Sequence, residues 1–232
     1  MKIGILQAGH TPDALLATRG DFDVMFMRLL DGQGFDFASY DVENMSFPAG
    51  IDDADGWLIT GSRHGAYEDH PFIPPLEEFV RDAYAASKPL VGICFGHQIV
   101  AQALGGRVEK FPDGWALGRT EYELADGRRI ALNAWHQDQV TELPEGATSL
   151  GRNAFCDNAI VAYGDRAFTV QPHPEFDNAL MADYVDMRRG SGTYPDDRMQ
   201  AAMDGTALPV QSDVIARAIT RFFTTRQVHV DT

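Results

Sequence analysis

The stretch Pro89-Leu-Val-Gly-Ile-Cys94-Phe-Gly-His-Gln98-Ile-Val-Ala-Gln-Ala-Leu-Gly-Gly106 decides how the chain is read. It opens with a short apolar run, Leu90 to Ile93, the pattern of a strand buried on both faces. The period then changes, because Ile99, Val100, Ala103 and Leu104 recur at helical spacing. Cys94 stands at the junction, with Gly92 two residues before it and Gly96 two after. A strand that turns directly into a helix needs small neighbours. Such a turn lifts the junction side chain clear of the sheet and aims it at a helix N-terminus. The amides and dipole there favour a thiolate and can hold an oxyanion formed beside it. Most lone cysteines are merely small buried hydrophobes. The Gly-x-Cys-x-Gly frame on a change of period favours a nucleophile elbow with Cys in the place of Ser.

A second motif lies downstream. Ala159 to Tyr163 and Ala167 to Val170 read as a hairpin turning at Gly164-Asp165. Its second strand delivers Gln171-Pro-His173-Pro-Glu175-Phe176. Prolines on both sides of His173 stiffen the turn and stop strand or helix from continuing. His173 and Glu175 can then point into one cleft, the imidazole moving protons and the carboxylate orienting it. Alone, His-x-Glu is more often a surface pair; after a strand, and downstream of a cysteine elbow, it carries weight.

The segment Pro89 to Gln98 resembles the active-site signature of class I (triad-type) glutamine amidotransferases, and Pro-His-Pro-Glu resembles that family's second signature. The likeness is strongest to stand-alone proteins similar to the glutaminase domain of GMP synthase. The resemblance implies a Cys94-His173-Glu175 triad that hydrolyses the side-chain amide of glutamine and passes ammonia to a synthase domain or subunit. It assigns the oxyanion hole to backbone amides of Phe95 and of the loop Gly61-Ser62. That loop ends the strand Gly56 to Thr60, the position where open α/β sheets place ligands, although a plain tight turn accounts for it equally well. Gly-Ser-Arg departs from the Gly-Gly-Pro or Gly-Pro-Gly common in the family, but backbone donors survive a change of side chain. The resemblance also gives Gln98 a role at the amino or carboxylate end of the substrate. Where the family has a Ser-His-x-Asp segment this chain has Trp135-His136-Gln137-Asp138, so the Ser is absent. Trp135, His136 and Gln137 would form a wall of the substrate pocket, against the alternative of a capped turn with a packed Trp.

Composition narrows the classes. The 232 residues carry 34 Asp and Glu against 19 Lys and Arg, a formal charge of −15. A surface this acidic repels nucleic acid and anionic membranes. With two cysteines the chain is no disulfide scaffold, and bonding Cys94 to Cys156 would disable the nucleophile, so a reducing cytoplasm is expected. No signal-peptide layout or membrane-spanning apolar run is present. His64 and His70 lack an acidic or Cys partner at ligand spacing, so no metal is expected. No organic cofactor is required either.

The remaining chain alternates strand and helix. Lys2 to Gln7 and Phe35 to Val42 read as strands around a helix from Asp21 through Leu30, and Leu76 to Ala86 reads as a helix before the Cys94 strand. Arg107 to Phe111, Arg119 to Leu124 and Arg129 to Asn133 alternate as half-exposed antiparallel strands. Helices follow at Ala179 to Arg188, Asp197 to Met203 and Ser212 to Phe223. The stretch Arg188-Arg-Gly-Ser-Gly-Thr-Tyr194-Pro-Asp-Asp197 reads as a mobile insertion that covers the cleft or mediates dimer contacts.

The expected architecture is α/β: one domain over residues 1–232, with a mostly parallel central sheet flanked by helices in the flavodoxin-like manner of class I glutamine amidotransferases. An antiparallel meander interrupts it. The core spans about 1–180 and a helical C-terminal extension about 181–232. The expected activity is cysteine-dependent hydrolysis of the γ-carboxamide of glutamine through a γ-glutamyl thioester, on a small-molecule substrate. The ammonia acceptor, a synthase partner subunit or self-association are left open. The first alternative is a self-sufficient γ-glutamyl peptide or amide hydrolase; a non-catalytic regulatory module is the second, and an intact triad argues against it.

Overall fold

The computed structural model describes residues 1–112 and 114–231. The elements run β1 (Lys2–Gln7), α1 (Asp13–Arg19), α2 (Phe22–Leu29), β2 (Asp36–Asp41), a 3-10 turn (Ile51–Asp53), β3 (Gly56–Ile59), α3 (Ile73–Ala85), β4 (Leu90–Ile93) and α4 (Phe95–Ala103). They continue with β5 (Arg107–Lys110), β6 (Ala116–Leu124), β7 (Arg129–His136), β8 (Asp138–Glu142), β9 (Thr148–Arg152), β10 (Ile160–Tyr163), β11 (Ala167–Val170), α5 (Asn178–Arg188), α6 (Asp196–Gly205) and α7 (Ser212–Thr225).

One sheet has the order β2-β1-β3-β4-β11-β10-β9-β6-β7. From β2 to β11 all neighbours are parallel, and from β11 onward they are antiparallel. The expected meander is therefore partly a wing of the central sheet. β6 and β7 extend it, while β5 pairs with β8 in a separate ribbon. Strands β3, β4 and β11 are buried at every residue, as strands covered on both faces must be. Phe26 and Leu30, with Val214, Ile215, Ile219 and Phe222 of α7, fill one face of the parallel half. Leu76 and Val80 of α3 with Phe95 and Ile99 of α4 fill the other. Helix α7 is thus no appendage: each of its large apolar side chains, fully buried, contributes roughly 1.5–3 kcal/mol of hydrophobic free energy.

Several boundaries differ from the sequence expectation for identifiable reasons. Helix α1 lies in a segment for which no element was expected, and it buries no residue, so no core-facing stripe marks it. Helix α3 begins three residues earlier than expected, with Pro74 and Pro75 in its first turn, where a missing N–H costs nothing. Strand β7 runs on through Trp135 and His136, which an expected end at Asn133 placed in a loop. Strand β9, Thr-Ser-Leu-Gly-Arg, has one buried position and was not expected.

Candidate active site

The β4–α4 junction holds Cys94 at φ 53° and ψ −101°, a left-handed backbone that costs a non-glycine residue on the order of 1–3 kcal/mol. Three hydrogen bonds fix the turn. Cys94 N donates to Val170 O on β11 at 2.9 Å, Gly96 N to Thr60 O at 3.1 Å and Gln98 N to Cys94 O at 3.1 Å. The flanking glycines are demanded by space. A Cβ on Gly92 would lie 2.3 Å from Gly96 O, and one on Gly96 would lie 2.2 Å from Ile59 O. The sulfur-bearing residue is 5% exposed and lines a cleft of about 350 Å³.

The second motif reaches the same cleft. Strand β11, paired with β4, ends at Val170, and the chain crosses to β7, where His173 N donates to Asn133 O at 2.8 Å. Asn133 Nδ2 donates in turn to Phe176 O at 2.9 Å, holding both sides of the Pro-His-Pro-Glu turn. His173 Nδ1 lies 2.6 Å from Glu175 Oε1, and the carboxylate side chain is 0% exposed. The imidazole stacks on Phe176 at 4.1 Å and 16°. Its pKa is raised to about 10. Burial, the largest single effect, lowers it, but the charges of Glu175 and Cys94 and hydrogen bonds to both outweigh burial. Cys94, His173 and Glu175 therefore form one contiguous array. Asn133, which no sequence signal singled out, is its backbone anchor.

Gly61 faces this array: a Cβ there would lie 3.0 Å from His173 Cε1 and 3.8 Å from Cys94 Cβ. Thr60 orders the loop, since its Oγ1 accepts from Ala8 N and donates to Gly61 O, each at 3.0 Å. Among the described residues, the amides of Gly61 and Ser62 enter no hydrogen bond. Phe95 supplies the first amide of α4, which has no intrahelical acceptor.

Gln98, Trp135, His136 and Gln137 all line the cleft. The Gln98 amide nitrogen donates to Asp138 O at 3.0 Å and to Gln171 Oε1 at 3.1 Å, so its carbonyl oxygen is the group left for a ligand. Burial pushes the His136 pKa down to about 4, and the charge of His173 adds to the effect against a favourable backbone contact. His136 is neutral, with Nδ1–H donating to Asp138 O at 3.1 Å. Gln137 Nε2 donates to Phe111 O at 3.0 Å, fixing the wall to the loop after β5.

The wall continues into the stretch expected to cover the cleft or mediate dimer contacts, although its individual residues were not singled out. Tyr184 and Arg188 of α5, Tyr194 beyond it and Trp115 before β6 all line the cleft. The segment read as a mobile insertion packs Tyr194 against Trp115 and Trp135, with ring centroids 4.7 and 5.1 Å apart. Met199 and Ala202 of α6 are buried in the same cluster as Phe176 and Tyr184.

His64 and His70 also stand otherwise than expected. Glu68, inside the same loop, brings a carboxylate 3.8 Å from His64 and 2.9 Å from His70. The three ligand atoms lie within 4.8 Å of one another, a grouping able to take a divalent ion at the rim of the cleft. The expectation that no acid accompanies these histidines is corrected. The loop folds back on itself and supplies one.

Residues 38–185 match the family model for class-I glutamine amidotransferases. The chain belongs to that family. A glutamine amidotransferase-like protein of Schizosaccharomyces pombe is 34% identical over 175 residues, covering 71% of this chain and 70% of the relative. Gamma-glutamyl peptidase 3 of Arabidopsis thaliana is 30% identical over 185 residues, covering 73% of this chain and 74% of its own. Among solved structures, a glutamine amidotransferase from Methylobacillus flagellatus superposes with a TM-score of 0.75 over 100% of this chain and 96% of its own, at 20% identity. That likeness supports the class-I amidotransferase fold. No helix among the described residues is long and apolar enough to cross a membrane.

Proposed function

We propose that the protein hydrolyses the γ-carbonyl C–N bond of a γ-glutamyl compound through a thioester on Cys94. The observation that carries the reading is the buried contact series Cys94, His173, Glu175 opening on one cleft. His173 keeps its proton at neutral pH, and a neighbouring imidazolium favours the thiolate nucleophile. The thiolate attacks the γ-carbonyl carbon, and the amides of Phe95 and of Gly61 or Ser62 receive the oxyanion. As the tetrahedral adduct collapses, His173 gives its proton to the leaving nitrogen and the C–N bond breaks. The leaving group is ammonia from glutamine or an amine from a γ-glutamyl peptide. Water then attacks the thioester, His173 takes its proton, the C–S bond breaks and glutamate leaves. The Gln98 carbonyl oxygen suits the substrate's α-ammonium group.

Two forms of this activity differ in the fate of nitrogen. One feeds ammonia to a synthase partner. The other needs no acceptor, and it is favoured by the likeness to a γ-glutamyl peptidase over about three quarters of both chains. It is also favoured by the chain's own tail walling the cleft. Purified protein incubated with glutamine and with γ-glutamyl dipeptides tests the reading. Glutamate should appear, with Cys94→Ala reducing the rate at least about 10³-fold. A Cys94→Ala protein as active as the parent removes the proposal.

A further inference from the structure

Arg188 is a cation placed in the catalytic cleft without an anionic partner. It is the last residue of α5, the helix that starts immediately after the His173-Glu175 turn. Its guanidinium lies over the Tyr184 ring at 5.4 Å and the Trp135 ring at 5.9 Å. Nη1 donates to Tyr194 Oη at 3.3 Å, and the same oxygen accepts from Trp135 Nε1 at 3.3 Å. Its Nε is buried with no hydrogen-bond partner. Among the described residues Arg188 forms no ion pair.

That isolation is informative in a chain with 34 acidic residues against 19 basic ones. The other cations at the cleft are engaged. Arg63 pairs with Glu43 at 3.1 Å, His10 with Asp21 at 2.6 Å, and Lys110 acts on the Asp138 carboxyl. A position in the last turn of a helix suits any cation for the sake of the dipole. It does not require the planar head to be clamped by aromatic rings on a cleft wall. Rings orient a guanidinium and thin its hydration, and Nη2, which makes no hydrogen bond among the described residues, is left for an anion.

The side of the cleft identifies the anion. From His173 a continuous series of rings leads to Arg188: Phe176 stacks on the imidazole at 4.1 Å, and Tyr184 lies 5.2 Å from Phe176. Arg188 thus sits beyond the imidazole that serves the departing nitrogen. Gln98, on α4, is held instead by Asp138 O and Gln171 Oε1, and shares none of the contacts of Arg188. We infer that Arg188, held by Trp135, Tyr184 and Tyr194, binds the free carboxylate of the leaving amine, so that the substrates are γ-glutamyl amino acids or short γ-glutamyl peptides rather than glutamine. The inference rests on the γ-glutamyl reading of the site. Ammonia, the leaving group of glutamine, has no carboxylate for this cation to hold. An Arg188 that instead held the α-carboxylate of the glutamyl half would give equal binding of acid and amide in the test below.

The test uses the full chain carrying Cys94→Ala, so that ligands bind without turnover. Dissociation constants are measured by calorimetry for γ-glutamyl-glycine and γ-glutamyl-glycyl-glycine, each beside its C-terminal amide. With Arg188 present, at least one acid should bind about 10- to 100-fold more tightly than its amide, the worth of a charge-assisted hydrogen bond lost. In Arg188→Gln the ratio of acid to amide should fall to about one, and Arg188→Lys should restore part of it. A ratio of one with Arg188 intact, a ratio that survives Arg188→Gln, or no binding of either pair overturns the inference. Turnover by the parent protein is scored separately. A carboxylate-dependent Kd without glutamate release would sink the hydrolytic reading and leave the Arg188 subsite standing.

Discussion

His173 Nδ1 stands 2.6 Å from Glu175 Oε1, and neither side chain is more than 5% exposed. So buried a contact fixes the ring's tautomer and leaves Nε2 to face the sulfur side of the cleft. It also sets when the ring gives up its proton.

Glu175→Gln should lower kcat by about 10²- to 10⁴-fold. The folded pKa of His173, about 10, lies above its ordinary 6.5. Protons are therefore bound more tightly in the folded state. The resulting stability is fully present below pH of about 6.5 and is lost as pH rises through about 10. Removing the Glu175 charge should move the alkaline limb of the kcat/KM profile to lower pH. An alkaline limb left in place would show that Glu175 does not tune the imidazole.

Thr60→Val keeps the shape of the side chain but strands Ala8 N and frees Gly61 O, because one hydroxyl serves both. The expected result is a loss of about 1–3 kcal/mol in stability. A fall in kcat larger than any rise in KM should accompany it if the loop carries an oxyanion donor. Urea titration and steady-state kinetics on the same preparation separate the two. Unchanged kcat in a destabilised protein would reduce Thr60 to a structural residue.

Gly96→Ala would set a methyl group 2.2 Å from Ile59 O, a backbone atom that cannot move without shifting β3. We expect a drop of about 1–3 kcal/mol or more, read as a lower Tm, with activity lost at temperatures where the fold survives. A Tm equal to the parent's would mean that the elbow is looser than the geometry requires.

Phe222→Ala tests whether α7 belongs to the core. Its ring is 0% exposed and packs on Phe168 of β11 at 6.2 Å, directly beneath the strand that leads to His173. Truncation should cost about 3–5 kcal/mol by denaturant unfolding. A change within 0.5 kcal/mol, the range of exposed positions, would contradict the packing.

The legible parts of this protein were those whose chemistry is local. Gly92, Cys94 and Gly96 announce a tight turn by composition alone, and Pro172 and Pro174 isolate His173 as a stiff corner. Both signals survive translation into structure because close backbone approach and proline rigidity act within a few residues. Strand β9 and helix α1 escaped notice because each buries one residue or none. Trp115, Arg188 and Tyr194 escaped for a different reason. Their meeting at the cleft follows from the docking of α5 and α6 on the β6–β7 wing, and nothing in Arg-Gly-Ser-Gly-Thr-Tyr reports what it will pack against. The Glu68 carboxylate lay between His64 and His70 in the sequence, but only the fold of the loop shows that it reaches both.

The central claim is that a γ-glutamyl group is carried on the Cys94 sulfur. Protein quenched in acid during turnover of a γ-glutamyl peptide, then digested and examined by mass spectrometry, tests it directly. The account predicts a γ-glutamyl adduct confined to the peptide containing Cys94, absent in Cys94→Ala and lost on treatment with hydroxylamine. Turnover with no adduct on that peptide in the parent, together with undiminished glutamate release by Cys94→Ala, would contradict it.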